Sequence, residues 1–507
     1  MHTMKKIVYI LFIGLIFQSC EKFLEESPTS FLTPSQYYTT TEQIRAAVNG
    51  TYTGLDDILG GGGLEVATSP CYAIEYLTGY CERPRASTFE TNQFLNLDDI
   101  DPQNGWLNNW WNATFYNLEN CNSVIENLLI SEILDSTTKS KYLGEVYFLR
   151  AFYYFQGVRI FGEIPLKIES TTDLADVQIP KATIGAIYDQ IVADLQSAEE
   201  SGLEWTDVSG KVNMGAVKSL LAEVYITMAG YPLRAGDEYY GMAYDKAKEV
   251  IESGEFELFN TYADLRKQSN ENQKEHIFLL QREAETAGNR LHFDLMPYPV
   301  PKPVISINPN YGGAMKPIAE FYDSYDDTDL RKAEEVFFYN EHVAYDDPND
   351  TVDLGGTFIY KFWDDQAEET NQSGNNFSYI RYADVLLLCA EAKATADGGT
   401  TSDATAVNAY FQVRNRAFPA ETAPASITVD QVLKERCWEL CFEFKSWYDM
   451  LRTRKAFDVE NDQIVDLIGY QAPGHPKAFE ESHLLFPIPL TETRLNPLLE
   501  EPAVTSN

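Results

Sequence analysis

Three tyrosines, Tyr72, Tyr76 and Tyr80, fall at i, i+4 and i+8, a spacing that lines one face of a helix with flat rings. Arg83, Arg85, Phe89 and Asn92 follow closely. If that face looks outward it is a stacking platform for a ligand. If it packs inward it is core, the more common fate of an aromatic stripe at helical spacing. Trp106, Trp110 and Trp111 pose the same choice, and Trp106, directly behind Gly105 at a loop boundary, is the ligand candidate among them. Tyr298 and Tyr311 lie in Pro- and Gly-rich stretches, where a side chain is freer to meet a ligand, and Trp363 lies in the same half of the chain.

Catalytic chemistry finds less support. The six histidines never take a metal-ligand spacing such as HExxH, and no CxxC occurs, so no metal centre is expected. No GxSxG elbow or Walker loop is present. Glycoside hydrolysis needs two carboxylates about 5 to 9.5 Å apart. With 77 acidic residues, any chain offers such a pair on paper, so naming one carries no information. Asp323, Asp326, Asp327 and Asp329 lack the spacing of a calcium-binding EF-hand loop and read as a solvated helix end. No cofactor is implied, and the residues favour binding over catalysis.

Cys20 offers a different chemistry. Lys5 and Lys6 precede an eleven-residue apolar run, Ile7 to Phe17, and Gln18-Ser19 leads to the cysteine. Such a run is too short for a membrane-spanning helix, which takes about 20 residues, and it reads as a cleavable secretory signal over residues 1–19. A small residue directly before a cysteine resembles a bacterial lipobox, in which the thiol is acylated and becomes the first mature residue. Phe17 departs from the Leu usual three positions before that cysteine. Lipidation at Cys20 would leave residues 20–34 as a polar tether.

The elements that must carry these side chains are mostly helical. The length of 507 residues exceeds what one core of about 250 to 300 residues accommodates. Helical periodicity opens at Thr41 and resumes at Trp106. Later helices are expected in pairs: 139–161 with 184–200, 215–230 with 240–253, and 379–397 with 403–416, followed by 428–444. Small residues such as Ala151, Ala222 and Ala390 mark close approaches. This alternation resembles tetratricopeptide helix hairpins. Residues 255–378 differ, being rich in Pro, Gly, Asn and Asp, with short strand-like runs at 277–280 and 358–361. The expected class is mainly α. A helix-hairpin scaffold spans 35–254 and returns at 379–455, and a loop-rich second lobe with a few short strands lies between.

Charge narrows the partners. The net charge of −38 repels nucleic acid and anionic lipid alike. Membrane attachment must then come from acyl chains. Cys71 and Cys81 lie close enough in sequence to close a local loop, whereas Cys121, Cys389, Cys437 and Cys441 fall in apolar helical patterns and read as buried thiols.

Several strings, in order, carry a family likeness: GEVYFLRAFYYFQGVRIFGEIPL (144–166), IPKATIGAIYDQIVADLQSAE (179–199), GKVNMGAVKSLLAEVYITMAG (210–230), RYADVLLLCAEA (381–392), ERCWELCFEFKSWYDMLR (435–452) and FPIPLTETRLNP (486–497). Together they resemble the SusD/RagB family of outer-membrane nutrient-binding lipoproteins. Lys445 and Ser446 depart from its pattern, as does the lack of a closing Asn-Pro-Gly-Tyr after Pro497. The strings describe scaffold: a helix apolar on all faces, a buried Arg150 that must find a partner, and Phe161-Gly162 as a stop.

What the resemblance implies is a surface-exposed outer-membrane lipoprotein. It would capture oligosaccharide, or peptide in some members, and act as lid on a TonB-dependent, SusC-like barrel. Sugar capture uses flat aromatic faces against C–H surfaces and polar groups for hydroxyls. The family's ligand loops lie before the first Trp-rich helix and in the variable lobe. That distribution nominates Tyr72, Tyr76, Tyr80, Arg83, Trp106, Tyr298 and Tyr311. Trp110 and Trp111 match scaffold positions. A carbohydrate-active hydrolase is the alternative of a different class.

Overall fold

The computed structural model describes residues 37–60, 70–173, 177–305, 312–367 and 373–504. Cys20, its tether and Tyr311 lie outside the described residues. Helices α1 (Thr41–Gly50), α2 (Pro70–Tyr76) and α3 (Phe89–Leu95) precede the long pair α4 (Gly105–Ile130) and α5 (Ser136–Phe161). Then come α6 (Ile184–Glu199), α7 (Met214–Ala229) and α8 (Asp237–Ser253). After residues 254–381 the helices resume as α9 (Tyr382–Ala396), α10 (Ala404–Ala417), α11 (Val429–Glu439) and α12 (Ser446–Thr453).

Local chemistry explains the boundaries. Asp135 opens α5 by accepting hydrogen bonds from the backbone N–H groups of Thr137 and Thr138, and Gly162, with φ of 72°, closes it. Asn213 caps α7 through Ala216 N, and Asp403 caps α10 through Ala406 N. Thr428 and Gln431 form a reciprocal capping box at the start of α11. Every residue from Gly144 to Phe161 except the half-buried Tyr147 is buried, as expected for a helix apolar on nearly all sides. Truncating one of its rings, such as Phe152→Ala, should cost about 3–5 kcal/mol.

Each helix packs on its successor from α4 through α10, and α11 also packs on α9. The contact between α8 and α9 bridges the long intervening segment, so the solenoid of hairpins is continuous in space though not in sequence. The intervening residues hold β2 (His276–Leu280), β3 (Lys316–Pro317), β4 (Phe338–Ala344), β5 (Asp347–Ile359) and β6 (Phe377–Arg381), while β1 (Cys81–Glu82) comes from the N-terminal part. Every sheet among the described residues is a two-stranded antiparallel pair, here β1–β3, β2–β6 and β4–β5. The architecture is thus mainly α with short strands, as the sequence suggests. A small second core gathers Phe293, Met296, Tyr339, Tyr360 and Trp363 beside the β4–β5 hairpin.

Buried charges bind the layers. Arg150 of α5 is paired by Asp194 of α6 through two hydrogen bonds of 2.8 and 2.7 Å. Lys445, one of the departures from the family pattern, is buried between Glu223 and Asp384 at 3.3 Å from each. Asp329 departs from the expected solvated helix end. It is buried and paired at 2.7 Å with Arg331, which also reaches Glu435 and Glu439. Asp326 and Asp327 remain exposed on that turn. The six cysteines after Cys20 are separate buried thiols. Cys71 and Cys81 do not pair: their Sγ atoms donate to Ile58 O and Glu75 O. No helix among the described residues is long and apolar enough to cross a membrane.

Candidate functional site

Two segments far apart in sequence are laced together at one edge of the molecule. Strand β1 pairs with β3 in the register Cys81↔Pro317 and Glu82↔Lys316. Tyr80 O accepts a hydrogen bond from Ile318 N at 3.1 Å, and Arg85 N donates to Gly313 O at 3.0 Å. Gly313 N in turn donates to Met296 O at 2.9 Å. This lacing requires glycine. Gly312 holds φ of 88°, and a Cβ there would lie 2.3 Å from Met296 O; a Cβ on Gly313 would lie 2.8 Å from Tyr298 Cβ.

Arg85 and Tyr298 meet at this lacing, and Arg83 stands two residues before Arg85. The Arg85 guanidinium lies 4.4 Å from the centroid of the Tyr298 ring, and its Nε donates to Gly312 O at 2.9 Å. All three side chains are half-buried. The Tyr298 hydroxyl has no protein partner among the described residues. Nearby, Phe89 at the start of α3 is 69% exposed and Asn92 is exposed. Guanidinium N–H groups, a phenol hydroxyl and an aromatic ring edge are the groups that satisfy a polyhydroxylated ligand. The site resembles no acid–base or nucleophilic centre, and no cluster of three or more metal-ligating side chains occurs among the described residues.

The tyrosine stripe, by contrast, is core. Tyr72, Tyr76 and Tyr80 are 4%, 0% and 2% exposed. Tyr72 donates to Asp294 Oδ2 at 3.1 Å and Tyr76 to Ala314 O at 2.7 Å. The Tyr80 hydroxyl donates to Phe457 O and accepts from Phe457 N, at 3.0 and 2.9 Å, and its ring stacks on Phe321. Burial pushes all three phenols above their ordinary range. Helix α2 also ends at Tyr76, and Gly79, with φ of 72°, turns the chain before Tyr80, so the three rings never share one helical face. These rings are covered by protein and cannot serve as an open platform. Trp106 meets the same fate: it is 6% exposed and packs on Phe94 at 5.3 Å. Trp110, Trp111 and Trp363 are likewise buried.

Of the nominated residues, the structure therefore leaves Arg83 and Tyr298 half-buried and withdraws Tyr72, Tyr76, Tyr80 and Trp106 into the core. Arg85 lies over the Tyr298 ring. The Gly312-Gly313 hinge escaped the sequence reading, although adjacent glycines flanking a candidate loop are a signal of close backbone approach. A concavity of about 570 Å³ lies between Arg266–Ser269 and Trp363–Gln366. Its walls mix polar and apolar surface, and Arg266 lies over Tyr360 at 4.7 Å.

Known proteins share this fold. A family described as "SusD family" matches residues 317–503, and one described as "Starch-binding associating with outer membrane" matches residues 22–226. A SusD-like protein of Formosa agariphila is 26% identical over 99% of this chain and 98% of its own length. The crystal structure of a SusD superfamily protein from Parabacteroides distasonis aligns with a TM-score of 0.84 and 34% identity, covering 92% of this chain and 99% of that one. Surface glycan-binding protein A from Bacteroides thetaiotaomicron, solved with laminarihexaose, shares the fold at a TM-score of 0.73 and 20% identity, over 90% and 98% of the two chains. On the fold, the two family matches and the likeness to the Parabacteroides protein, the chain belongs to the SusD/RagB family.

Proposed function

We propose that this protein is an outer-membrane lipoprotein that binds oligosaccharide at the Arg83–Arg85–Tyr298 cluster and delivers it to a TonB-dependent, SusC-like barrel, for which it acts as lid. The observation that carries this reading is the cluster itself. A phenol ring held under a guanidinium, with a hydroxyl that no group among the described residues engages, stands where two chain segments are laced by backbone hydrogen bonds. Sugar recognition asks for a fixed ring surface and fixed polar groups side by side. Two solved proteins of this fold support the choice of ligand, one bound to laminarihexaose and one to a xylogluco-oligosaccharide. The description of the N-terminal family match supports association with the outer membrane.

The reading is of binding without turnover. Titration calorimetry against oligosaccharides is the test, with Tyr298→Ala as the informative variant. Loss of an aromatic contact worth about 0.5–1.5 kcal/mol predicts an affinity lower by roughly 2- to 13-fold with the thermal midpoint nearly unchanged. Binding unaffected by this change would remove the cluster from the site. Shortened sugars after prolonged incubation would replace the binder with a hydrolase, and capture of peptides in preference to glycans would favour the peptide-binding alternative.

A further inference from the structure

Cations are scarce in this chain, with 39 Lys and Arg against 77 Asp and Glu. The deeply placed ones are paired: Arg150 with Asp194, Arg331 with Asp329, Arg381 with Glu443 and Arg436 with Asp384, each at 2.7 or 2.8 Å. Arg83 breaks that rule. Its guanidinium is half-buried; among the described residues its Nε is closed off from solvent without an acceptor, and its one hydrogen bond runs from Nη1 to the neutral Tyr76 hydroxyl at 3.3 Å.

Two acidic residues of the neighbouring described segments have other partners. Glu82, the adjacent residue, pairs with Lys316 across the β1–β3 ladder at 2.9 Å. Asp294 takes the Tyr72 hydroxyl and lies 3.5 Å from Arg290. A partly desolvated guanidinium without a counter-anion is unfavourable, and composition makes its isolation unexpected, since acids outnumber bases about two to one. Arg85 lies two residues on, its plane fixed over Tyr298.

We infer that this cluster receives the acidic group of an anionic oligosaccharide, a uronate carboxylate or a sugar sulfate, and that Arg83 sets the preference over neutral glycans. The inference rests on the glycan-binding reading of the same site. A planar guanidinium matches the two oxygens of either group, and the Tyr298 ring beside Arg85 offers surface to the sugar that carries it. The chain's overall negative charge would slow the approach of such a ligand, so a local cation with no ion pair among the described residues has a clear use.

The test is calorimetry on the intact mature protein with laminarihexaose as neutral probe, an oligogalacturonate of equal length as carboxylate probe, and a carrageenan oligosaccharide as sulfate probe. Hydrogen bonds to charged groups predict that one anionic probe binds about 10- to 100-fold more tightly than the neutral one at low salt. That ratio should shrink in 0.5 M NaCl. Arg83→Gln should bring the ratio toward one, and Arg83→Lys, which keeps the charge without the fork, should preserve part of it. Thermal unfolding of both variants confirms that they are folded. Which anionic probe wins identifies the group. Neutral and anionic probes bound equally, with Arg83→Gln indistinguishable from the parent, would overturn the inference while leaving glycan binding in place. Binding of no glycan of either kind would overturn the reading beneath it.

Discussion

Glu75 and Arg83 stand close in sequence and meet opposite electrostatic situations. Glu75 is buried on α2, and its Oε2 has no partner among the described residues. The backbone N–H groups of Phe442 and Phe444 reach its carboxylate from residues held at φ of 62° and 61°, a region costly for bulky side chains. Burial outweighs these donors and the nearby Lys361, with Glu443 adding repulsion, and lifts the carboxyl from 4.5 to about 7. Between those values the folded state keeps a proton that the unfolded chain releases. The associated stability is full below pH 4.5 and is lost as pH rises through 7. Glu75→Gln cannot ionise, so relative to the parent it should gain up to about 3 kcal/mol between pH 4.5 and pH 8. Urea midpoints at both ends measure this, and a difference that stays constant with pH would show that Glu75 does not titrate in this window. The same scale explains what the sequence could reveal of the site. The loop position of Tyr298 was readable from its prolines. The spacing of Tyr72 and Tyr76 could not say which way they faced, because an inward and an outward stripe have the same period. The isolation of Arg83 was unreadable, since it depends on Glu82 turning to Lys316.

At the scale of elements, the helices were legible because buried helices combine strong periodicity with capping residues at their starts. Two misses have physical causes. The periodicity suggested a helix over 428–444, yet α11 stops at Glu439, because Phe442 and Phe444 adopt left-handed backbone that local propensity reserves for glycine. Strand β5 begins at Asp347, well before the expected run at 358, because its Asp- and Gly-rich first half has poor strand propensity and is held by pairing with β4. The packing of α8 against α9 was likewise invisible, being a long-range contact. What fastens the resumed helices to the inserted segment is a buried ion network. Arg381 at the end of β6 and Arg416 of α10 share Glu275 and Glu439, and Arg331 joins through Glu435 and Glu439. Burial alone would raise Glu439, but Arg416, Arg381 and Arg331 hold it down at about 2. Arg331→Leu would strand Asp329 in a site closed to water and remove one of the cations that Glu435 and Glu439 share. The expected loss is about 3–5 kcal/mol in urea unfolding at pH 7. It should narrow on acidification toward pH 4, as the stranded carboxylate takes up a proton. A loss below 1 kcal/mol would mean that the network is redundant at this corner.

For the whole molecule, the proposed function asks how a protein of net charge −38 would stay at a membrane surface. Coulombic attraction to anionic lipid is unavailable to it. On the proposed function, acyl chains at the lipobox-like Ser19-Cys20, with the polar residues 21–34 as linker, would be the alternative. Fully extended, that linker spans at most about 50 Å, which would confine a lid near its barrel while letting it swing. Confinement acts through effective concentration and adds no contact to the ligand. Cys20→Ala should therefore move the protein from the membrane fraction to the soluble fraction and lower glycan uptake by cells, with the calorimetric affinity of the isolated protein unchanged. Tyr298→Ala should do the reverse, remaining in the membrane fraction while affinity falls. The two variants separate anchoring from capture because each leaves the other's readout intact. If Cys20→Ala left uptake at the parental level, tethering would not be the source of the high local concentration. Contacts between the folded body and the barrel would then have to hold the lid, and they should survive as a complex recovered from detergent-solubilised membranes of the Cys20→Ala strain.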